Sequence, residues 1–218
     1  MKIFVTGATG RTGIRAVRAF AQRGDVVTGL HRRPEQGAEL AALGAKSVPG
    51  DLASMDERQL ADAMRGADVV VYAAGSGDRD SDAVTEAIDG TGVTKAIGAA
   101  KLAGIARFLL VSVFPEAGRG KSLPESFEHY IAVKKRADMT LAESGLDWII
   151  LRPGTLTDSP GTGLVHLGSA ILYGEVPRDD VAAAIAELVH TPVVSRRILE
   201  ITGGPTPIAQ AIAAQTRR

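Results

Sequence analysis

The chain of 218 residues contains no cysteine and no asparagine. The absence of cysteine excludes a disulfide framework, a thiolate nucleophile and any metal centre with sulfur ligands. The histidines offer no substitute, because they lie far apart and show no spacing typical of metal ligands. They are His31, His129, His166 and His190. We therefore expect no metal.

The chain also has no excess of positive or negative charge and no long apolar run. Lys and Arg together number 25, as do Asp and Glu, so no overall positive charge attracts nucleic acid. No uncharged run approaches the roughly 18 residues of a membrane span, and the first apolar strand begins too early for a signal peptide. We expect a cytoplasmic protein that binds neither nucleic acid nor membrane.

Short apolar segments alternate with helical periods along the whole chain. Several of these segments lack polar alternation, which predicts a doubly wound α/β fold, a mostly parallel Rossmann sheet with helices on both faces. The predicted strands are 2–6, 25–30, 46–49, 68–73, 107–113, 147–151 and 197–202. The predicted helices are 11–23, 55–65, 82–103, 126–144, 179–190 and 206–215. We expect one domain over residues 1–218, with 154–178 contributing a small substrate lobe.

The first predicted strand runs directly into glycines spaced three apart. Gly7 permits a bend after the strand, Gly10 lets the backbone approach a phosphate, and Gly13 lets the next helix pack against the sheet. The amides and the dipole at the start of that helix then face an anion. The segment predicts a turn that binds a dinucleotide pyrophosphate. Its candidate contacts are Gly7, Thr9, Gly10, Arg11, Thr12 and Gly13.

Further candidate contacts follow other strands, because the carboxyl ends of parallel strands share one edge of the sheet. Asp51 and Leu52 follow the third strand and are placed to bond and pack an adenine. An Asp that ends a strand in an ordinary turn is the alternative interpretation. Ala73, Ala74 and Gly75 follow the fourth strand.

The second predicted strand ends without the acidic residue that binds the ribose hydroxyls of NAD. Arg32 and Arg33 stand there instead, and Arg11 can point toward the same place. Because guanidinium groups bind phosphates bidentately, this cluster favours the 2′-phosphate of NADP(H), with NAD(H) still possible. A solvated basic loop is the alternative.

Candidate chemistry lies on the fifth strand and the helix that follows it. Tyr130 and Lys134 are four residues apart and so share one helix face, and Ser112 ends the preceding strand. A neighbouring ammonium favours the ionised phenol, which suits Tyr130 to acid–base work. Ser112 could bond the same substrate oxygen, and Lys134 could hold the nicotinamide ribose. The alternative is a packed ring, a surface cation and a turn cap.

Taken together, these motifs resemble the short-chain dehydrogenase/reductase superfamily, especially its atypical, NAD(P)H-binding and epimerase-like branch. The segments that carry the resemblance are Thr6–Gly13, Gly50–Leu52, Ser112, Tyr130–Lys134 and Leu151–Gly154. The resemblance implies that the glycine turn and Arg32 contact the cofactor, together with Ser112, Lys134 and Pro153, and that Ser112, Tyr130 and Lys134 form the catalytic trio. The asparagine that often completes this site in the superfamily has no counterpart here.

Two functions fit these features. The first is an NADP(H)-dependent reductase, dehydrogenase or epimerase-like oxidoreductase that acts on a small carbonyl or hydroxyl substrate by hydride transfer. The second is an NADP(H)-binding sensor or regulatory protein with little or no catalysis, favoured by the missing asparagine and by long polar stretches at 75–82 and 114–126 that suit covers over a site. The chain is expected to be a monomer or a homodimer.

Overall fold

In the computed structural model, which describes residues 1–76, 81–115, 117 and 122–216, a nine-stranded sheet carries helices on both faces. The strands are β1 (Lys2–Thr6), β2 (Val26–His31), β3 (Lys46–Pro49), β4 (Val69–Tyr72), β5 (Arg107–Val111), β6 (Asp147–Pro153), β7 (Thr155–Thr157), β8 (Leu164–Gly168), β9 (Glu175–Pro177), β10 (Arg197–Gly203) and β11 (Thr206–Pro207). The helices are α1 (Gly13–Gln22), α2 (Pro34–Ala42), α3 (Glu57–Met64), α4 (Asp82–Thr85), α5 (Thr91–Leu102), α6 (Glu125–Ala142), α7 (Arg178–Val189) and α8 (Ile208–Ala214), with a π-helical turn at Glu86–Gly90.

The strand order confirms the predicted doubly wound sheet. It runs β11-β8-β10-β6-β5-β4-β1-β2-β3, and seven neighbouring strands from β10 to β3 are parallel. The order reverses at β1, which lies between β2 and β4. A crevice for ligands is expected at such a point, outside the carboxyl ends of the strands.

The core consists of two clusters, one on each face of the sheet, and successive side chains of β1 point alternately into them. Ile3 and Val5 face a cluster built with α1, α2, α7 and α8, whereas Phe4 faces a cluster built with α3, α5 and α6. Both clusters are continuous across the sheet. Burial on both faces explains why β4 and β5 read as uninterrupted apolar runs.

Two local features of the helices differ from the predicted elements. Helix α2 was not predicted; its Pro34 lies in the first turn of the helix, where no amide hydrogen bond is lost. The predicted helix 82–103 is divided into α4, the π-helical turn and α5. The other predicted elements differ from the observed bounds by one or two residues at most ends. No helix among the described residues is long and apolar enough to cross a membrane.

The segment 154–178, predicted as a substrate lobe, is divided between two sheets. Strands β7 and β9 pair with each other, and β8 joins the main sheet antiparallel to β10. Val165 and Leu167 of β8 therefore pack with the main core, while Leu172 is 91% exposed. The contribution of this segment to substrate binding stays a prediction.

Arg107 anchors the amino ends of β5 and β6, at the sheet edge opposite the crevice. It is buried, and its guanidinium donates to Asp147 at 2.6 Å and to the carbonyl of Leu188 at 2.8 Å. Longer contacts of 3.3 Å reach the carbonyls of Thr191 and Val194. One side chain thus satisfies several acceptors where α7 ends.

Replacing Arg107 with Ala leaves those buried acceptors without a donor, so we expect the free energy of unfolding to fall by about 3 kcal/mol or more. Urea denaturation of the purified variant measures the loss. The matched control is Arg65→Ala, because Arg65 and its partner Asp62 are exposed and such pairs contribute roughly 0.5 kcal/mol. Equal losses in the two variants would contradict the anchoring role.

Candidate functional site

A cavity of about 370 Å³ opens at the carboxyl ends of β1, β2, β3 and β4. It lies where the strand order reverses, which is the position that the fold predicts for a ligand. Ten residues of the predicted cofactor set line it: Gly7, Thr9, Gly10, Arg32, Arg33, Asp51, Leu52, Ala73, Ala74 and Gly75. Further lining residues, absent from the predicted set, are Leu30, His31, Gln36, Gly50, Ser76, Val84 and Ile88.

The glycine turn at the end of β1 is a close backbone contact. Gly7 has a φ of +66°, and a Cβ there would lie 2.5 Å from the backbone of Ala74. The Gly10 amide donates to the Gly7 carbonyl at 2.9 Å, and a Cβ on Gly13 would overlap that same oxygen. Gly7 is therefore required by both space and conformation, and Gly13 is required by space.

Helix α1 begins directly after this turn, at Gly13, and no side chain caps it among the described residues. Its first turn has no acidic residue either. The N-terminal amides of a helix are hydrogen-bond donors at the positive end of the helix dipole. The first turn of α1 can therefore bind a phosphate group, and the shape of the glycine turn fits a dinucleotide.

The two arginines after β2 differ in their surroundings. Arg33 bonds Glu35 at 2.7 Å, and the backbone amide of Glu35 together with Arg33 lowers the pKa of that carboxyl. Arg32 forms no salt bridge with any described residue, although it lines the cavity. Gln36 fixes this loop, since its side-chain oxygen accepts from the amides of Arg32 and Arg33 at 3.1 and 3.0 Å. Arg32 is the better placed of the two to bind a phosphate.

Arg11 does not point toward Arg32 and Arg33 as expected. Its guanidinium forms an ion pair with Asp158, which lies between β7 and β8. Arg15 and Arg178 reach the same carboxylate at 3.5 and 3.0 Å. The expectation about its direction was wrong because a carboxylate close to the turn attracts the side chain. Its assignment as a cofactor contact stays a prediction.

Asp51 and Leu52 occupy the turn after β3. The Asp51 carboxylate accepts from the Ala53 amide at 3.0 Å, which is the local bond expected of an Asp that ends a strand. Leu52 is buried and packs in the core. Both also line the cavity, so the turn and the adenine interpretations of Asp51 are compatible with its position.

The three predicted catalytic residues come together at the end of β5. Lys134, on α6, is only 3% exposed and donates to the carbonyl of Val111 at 2.9 Å, next to Ser112. Tyr130 lies one turn earlier on α6, half-buried, with its ring 6.2 Å from that of Phe127. Burial of the ammonium alone would lower the pKa of Lys134, but Tyr130, Asp89 and Asp138 raise it overall.

Two buried carboxylates complete this cluster, and neither was predicted. Asp138 follows Lys134 by one further turn of α6, and Arg152 donates to it at 2.9 and 2.8 Å. Burial raises the pKa of Asp138, while the nearby Ser112 hydroxyl and Arg152 lower it in part. The Ser112 oxygen nevertheless has no well-aligned hydrogen-bond partner among the described residues. Asp89, in the π-helical turn, lies 3.2 Å from Lys134.

Some predicted contacts lie away from the cavity wall. Thr12 and Gly13 begin α1 behind the turn, and Pro153 is buried at the end of β6. Ser112 and Lys134 lie in the neighbouring cluster. The proposed cover segments, 75–82 and 114–126, contain residues 77–80, 116 and 118–121, which lie outside the described residues. No group of three or more potential metal ligands occurs in the described part of the chain.

Comparison with known proteins identifies a family for this chain. A family model described as NAD(P)H-binding matches residues 7–192. The uncharacterized sugar epimerase YhfK of Bacillus subtilis is 37% identical over 97% of this chain and 99% of its own length. Among solved structures, the oxidoreductase ylbE from Lactococcus lactis is 27% identical, with a TM-score of 0.85 over 98% of this chain and 96% of that one. The anaerobillin reductase ChuY from Escherichia coli O157:H7 is 26% identical, with a TM-score of 0.78 over 93% and 97%.

Gly7→Ala tests the close approach of the turn to Ala74. The variant combines a left-handed backbone with a steric overlap, so we expect an unfolding free energy lower by about 3 kcal/mol and a weakened affinity for NADPH. Urea denaturation followed by Trp148 fluorescence and cofactor titration provide the measurements. The matched control is Gly44→Ala, where φ is +77° but no atom lies within 4 Å; it isolates the backbone cost of about 1 kcal/mol. Equal destabilisation would show that space at Gly7 is unimportant.

Proposed function

This chain belongs to the NAD(P)H-binding family within the atypical, epimerase-like short-chain dehydrogenases/reductases, and on that premise we propose that it is an NADP(H)-dependent oxidoreductase acting on a small carbonyl or hydroxyl substrate. The observation that carries the proposal is a chain of contacts from the cavity to the predicted trio. Ser76 lines the cavity and bonds Asp89, and Asp89 pairs with Lys134. The candidate catalytic residues are thus connected to the cavity by direct side-chain contacts.

The residues present fit a nicotinamide dinucleotide. The glycine turn and the uncapped start of α1 would hold the pyrophosphate, and the turn after β3 together with Ala73–Gly75 lines the cavity. When bound, the nicotinamide supplies or accepts a hydride. Every other part of the reaction falls to groups of the chain itself.

Tyr130 is the proposed general acid or base at the substrate oxygen. In the reducing direction its phenol donates a proton to the oxygen that gains negative charge, and in the oxidising direction its phenolate takes that proton back. Lys134 places a positive charge beside this exchange. Ser112 has no aligned hydrogen-bond partner among the described residues, so its hydroxyl can turn to the same oxygen and stabilise the developing charge.

Tyr130→Phe removes the transferable proton while keeping the ring, so we expect kcat with the best substrate of a panel of aldehydes, ketones and quinones to fall about 100-fold or more. The Kd for NADPH should change little, because Tyr130 does not line the cofactor cavity. Both quantities are measured from NADPH absorbance and fluorescence. A wild-type chain that binds NADPH but turns over nothing faster than this variant would favour the alternative, an NADP(H)-binding regulatory protein.

The preference for NADP(H) is proposed to rest on Arg32. Its side chain is exposed at the cavity with no salt bridge to any described residue, whereas Arg33 is already neutralised by Glu35. A guanidinium without a protein partner binds a phosphate at lower cost than one that must first leave a carboxylate. Arg33 therefore serves as a matched control for Arg32.

Arg32→Ala is expected to raise the Kd for NADPH by about 10- to 100-fold, since a charge-assisted bond contributes roughly 1.5–3 kcal/mol. The Kd for NADH should stay within about twofold because NADH has no 2′-phosphate. Arg33→Ala should have a smaller effect on NADPH. Fluorescence titration of both cofactors with both variants measures this. If Arg32→Ala weakens both cofactors equally, the arginine does not read the 2′-phosphate.

A further inference from the structure

Asp89 is a fully buried carboxylate beside the candidate active site, with 0% of its surface exposed. It lies in the π-helical turn Glu86–Gly90, between α4 and α5. The buried Tyr72 hydroxyl donates to the carbonyl of Ile88 at 2.5 Å and so fixes the turn to the end of β4. Single π-helical turns are frequent at functional sites. Here the turn directs an acidic side chain into the protein rather than toward solvent.

One oxygen of Asp89 binds the loop after β4. The Ser76 amide and hydroxyl donate to Oδ2 at 2.9 and 2.8 Å. The loop also lies against the other oxygen, because a Cβ on Gly75 would be 3.2 Å from Oδ1. Gly75 and Ser76 both line the cofactor cavity. The carboxylate therefore sets the position of one cavity wall.

The other oxygen of Asp89 faces Lys134 Nζ at 3.2 Å. Lys134 is itself buried, and its second bond, to the Val111 carbonyl, connects it to the end of β5. An ammonium removed from water requires a negative partner, and breaking such a pair is far more costly than losing an exposed one. Asp89 is thus the group through which the cavity wall, the lysine and the end of β5, next to Ser112, are joined.

We propose that Asp89 is a positioning residue for the oxidoreductase reaction: its carboxylate holds Lys134 and Ser76 in one arrangement, so that a cofactor in the cavity and the Tyr130 phenol meet the same substrate. The inference rests on the proposed function. Asp89 does not line the cavity and so acts through its two partners. The negative charge is essential, because a neutral amide could still accept from Ser76 but could not balance the ammonium.

The charged groups around Lys134 determine how the lysine responds when Asp89 loses its charge. Tyr130 and Asp138 face the ammonium from α6, and Arg152 of β6 is bound to Asp138; β5 contributes the Val111 carbonyl. Without Asp89 the balance moves toward desolvation, which lowers the pKa of Lys134. As the pH rises, Lys134 of such a variant therefore loses its proton at a lower pH than Lys134 of the wild type. Activity that needs the ammonium falls at that lower pH.

The test compares wild type, Asp89→Asn and Asp147→Asn, using NADPH and the panel substrate that the wild type reduces fastest. For Asp89→Asn we expect kcat to fall about tenfold or more, while the KM for NADPH stays within about threefold because the glycine turn and Arg32 are unchanged. The alkaline limb of its kcat profile should move to lower pH. Asp147→Asn breaks the Arg107 pair at the opposite sheet edge, so it should cost stability but leave kcat within about twofold.

Two outcomes would overturn the inference while leaving the proposed function intact. The first is an Asp89→Asn variant with wild-type kcat and pH profile. The second is an equal loss of kcat in Asp89→Asn and Asp147→Asn when both variants are equally stable, with no shift of the alkaline limb in Asp89→Asn. That result would make the role of Asp89 merely structural. A wild-type chain that binds NADPH but reduces no panel substrate refutes the proposed function, and the role of Asp89 in it fails at the same time.

Discussion

The approach of the Gly7 backbone to Ala73 and Ala74 is the constraint on which the site depends. The turn after β1 can approach the loop after β4 this closely only because Gly7 has no side chain and can adopt a positive φ. The contact places the loop after β4 directly beside the glycine turn. That loop continues to Ser76, which is bound by Asp89, and from there the contacts extend to Lys134. One steric requirement at β1 therefore governs where the buried charges lie.

The buried charges of this cluster are stabilised by pairing with opposite charges rather than by contact with solvent. Lys134 is paired with Asp89, and Asp138 with Arg152, all within a region that excludes most solvent. Removing a partner from such a pair costs several kcal/mol, whereas the exposed pair of Arg65 and Asp62 contributes little. Buried charge pairs thus lie both at the candidate active site and at Arg107, at opposite edges of the sheet.

Much of the fold and part of the site could be predicted from the sequence. The glycine turn depends on local spacing, and the shared face of Tyr130 and Lys134 depends on the helical period, so both could be predicted. Asp138 could also have been predicted, since it follows Lys134 by the same spacing of four residues. Asp89 was not, because an unbroken helix over 82–103 gives no sign of a π-helical turn. The direction of Arg11 depends on Asp158, a partner far away in sequence, and the short strands β7 and β9 form only by pairing with each other.

The π-helical turn has a consequence for how this fold can diverge. It contains about one residue more than an α-helical turn, so deleting one residue there would restore a continuous α-helix and move the remaining side chains of the turn around the helix axis by about 100°. Removing a single codon in Glu86–Gly90 would thus change which side chain meets the lysine without altering the sheet. Gain or loss of the carboxylate contact with Lys134 among descendants of this chain can therefore proceed by a single-residue insertion or deletion rather than by gradual substitution.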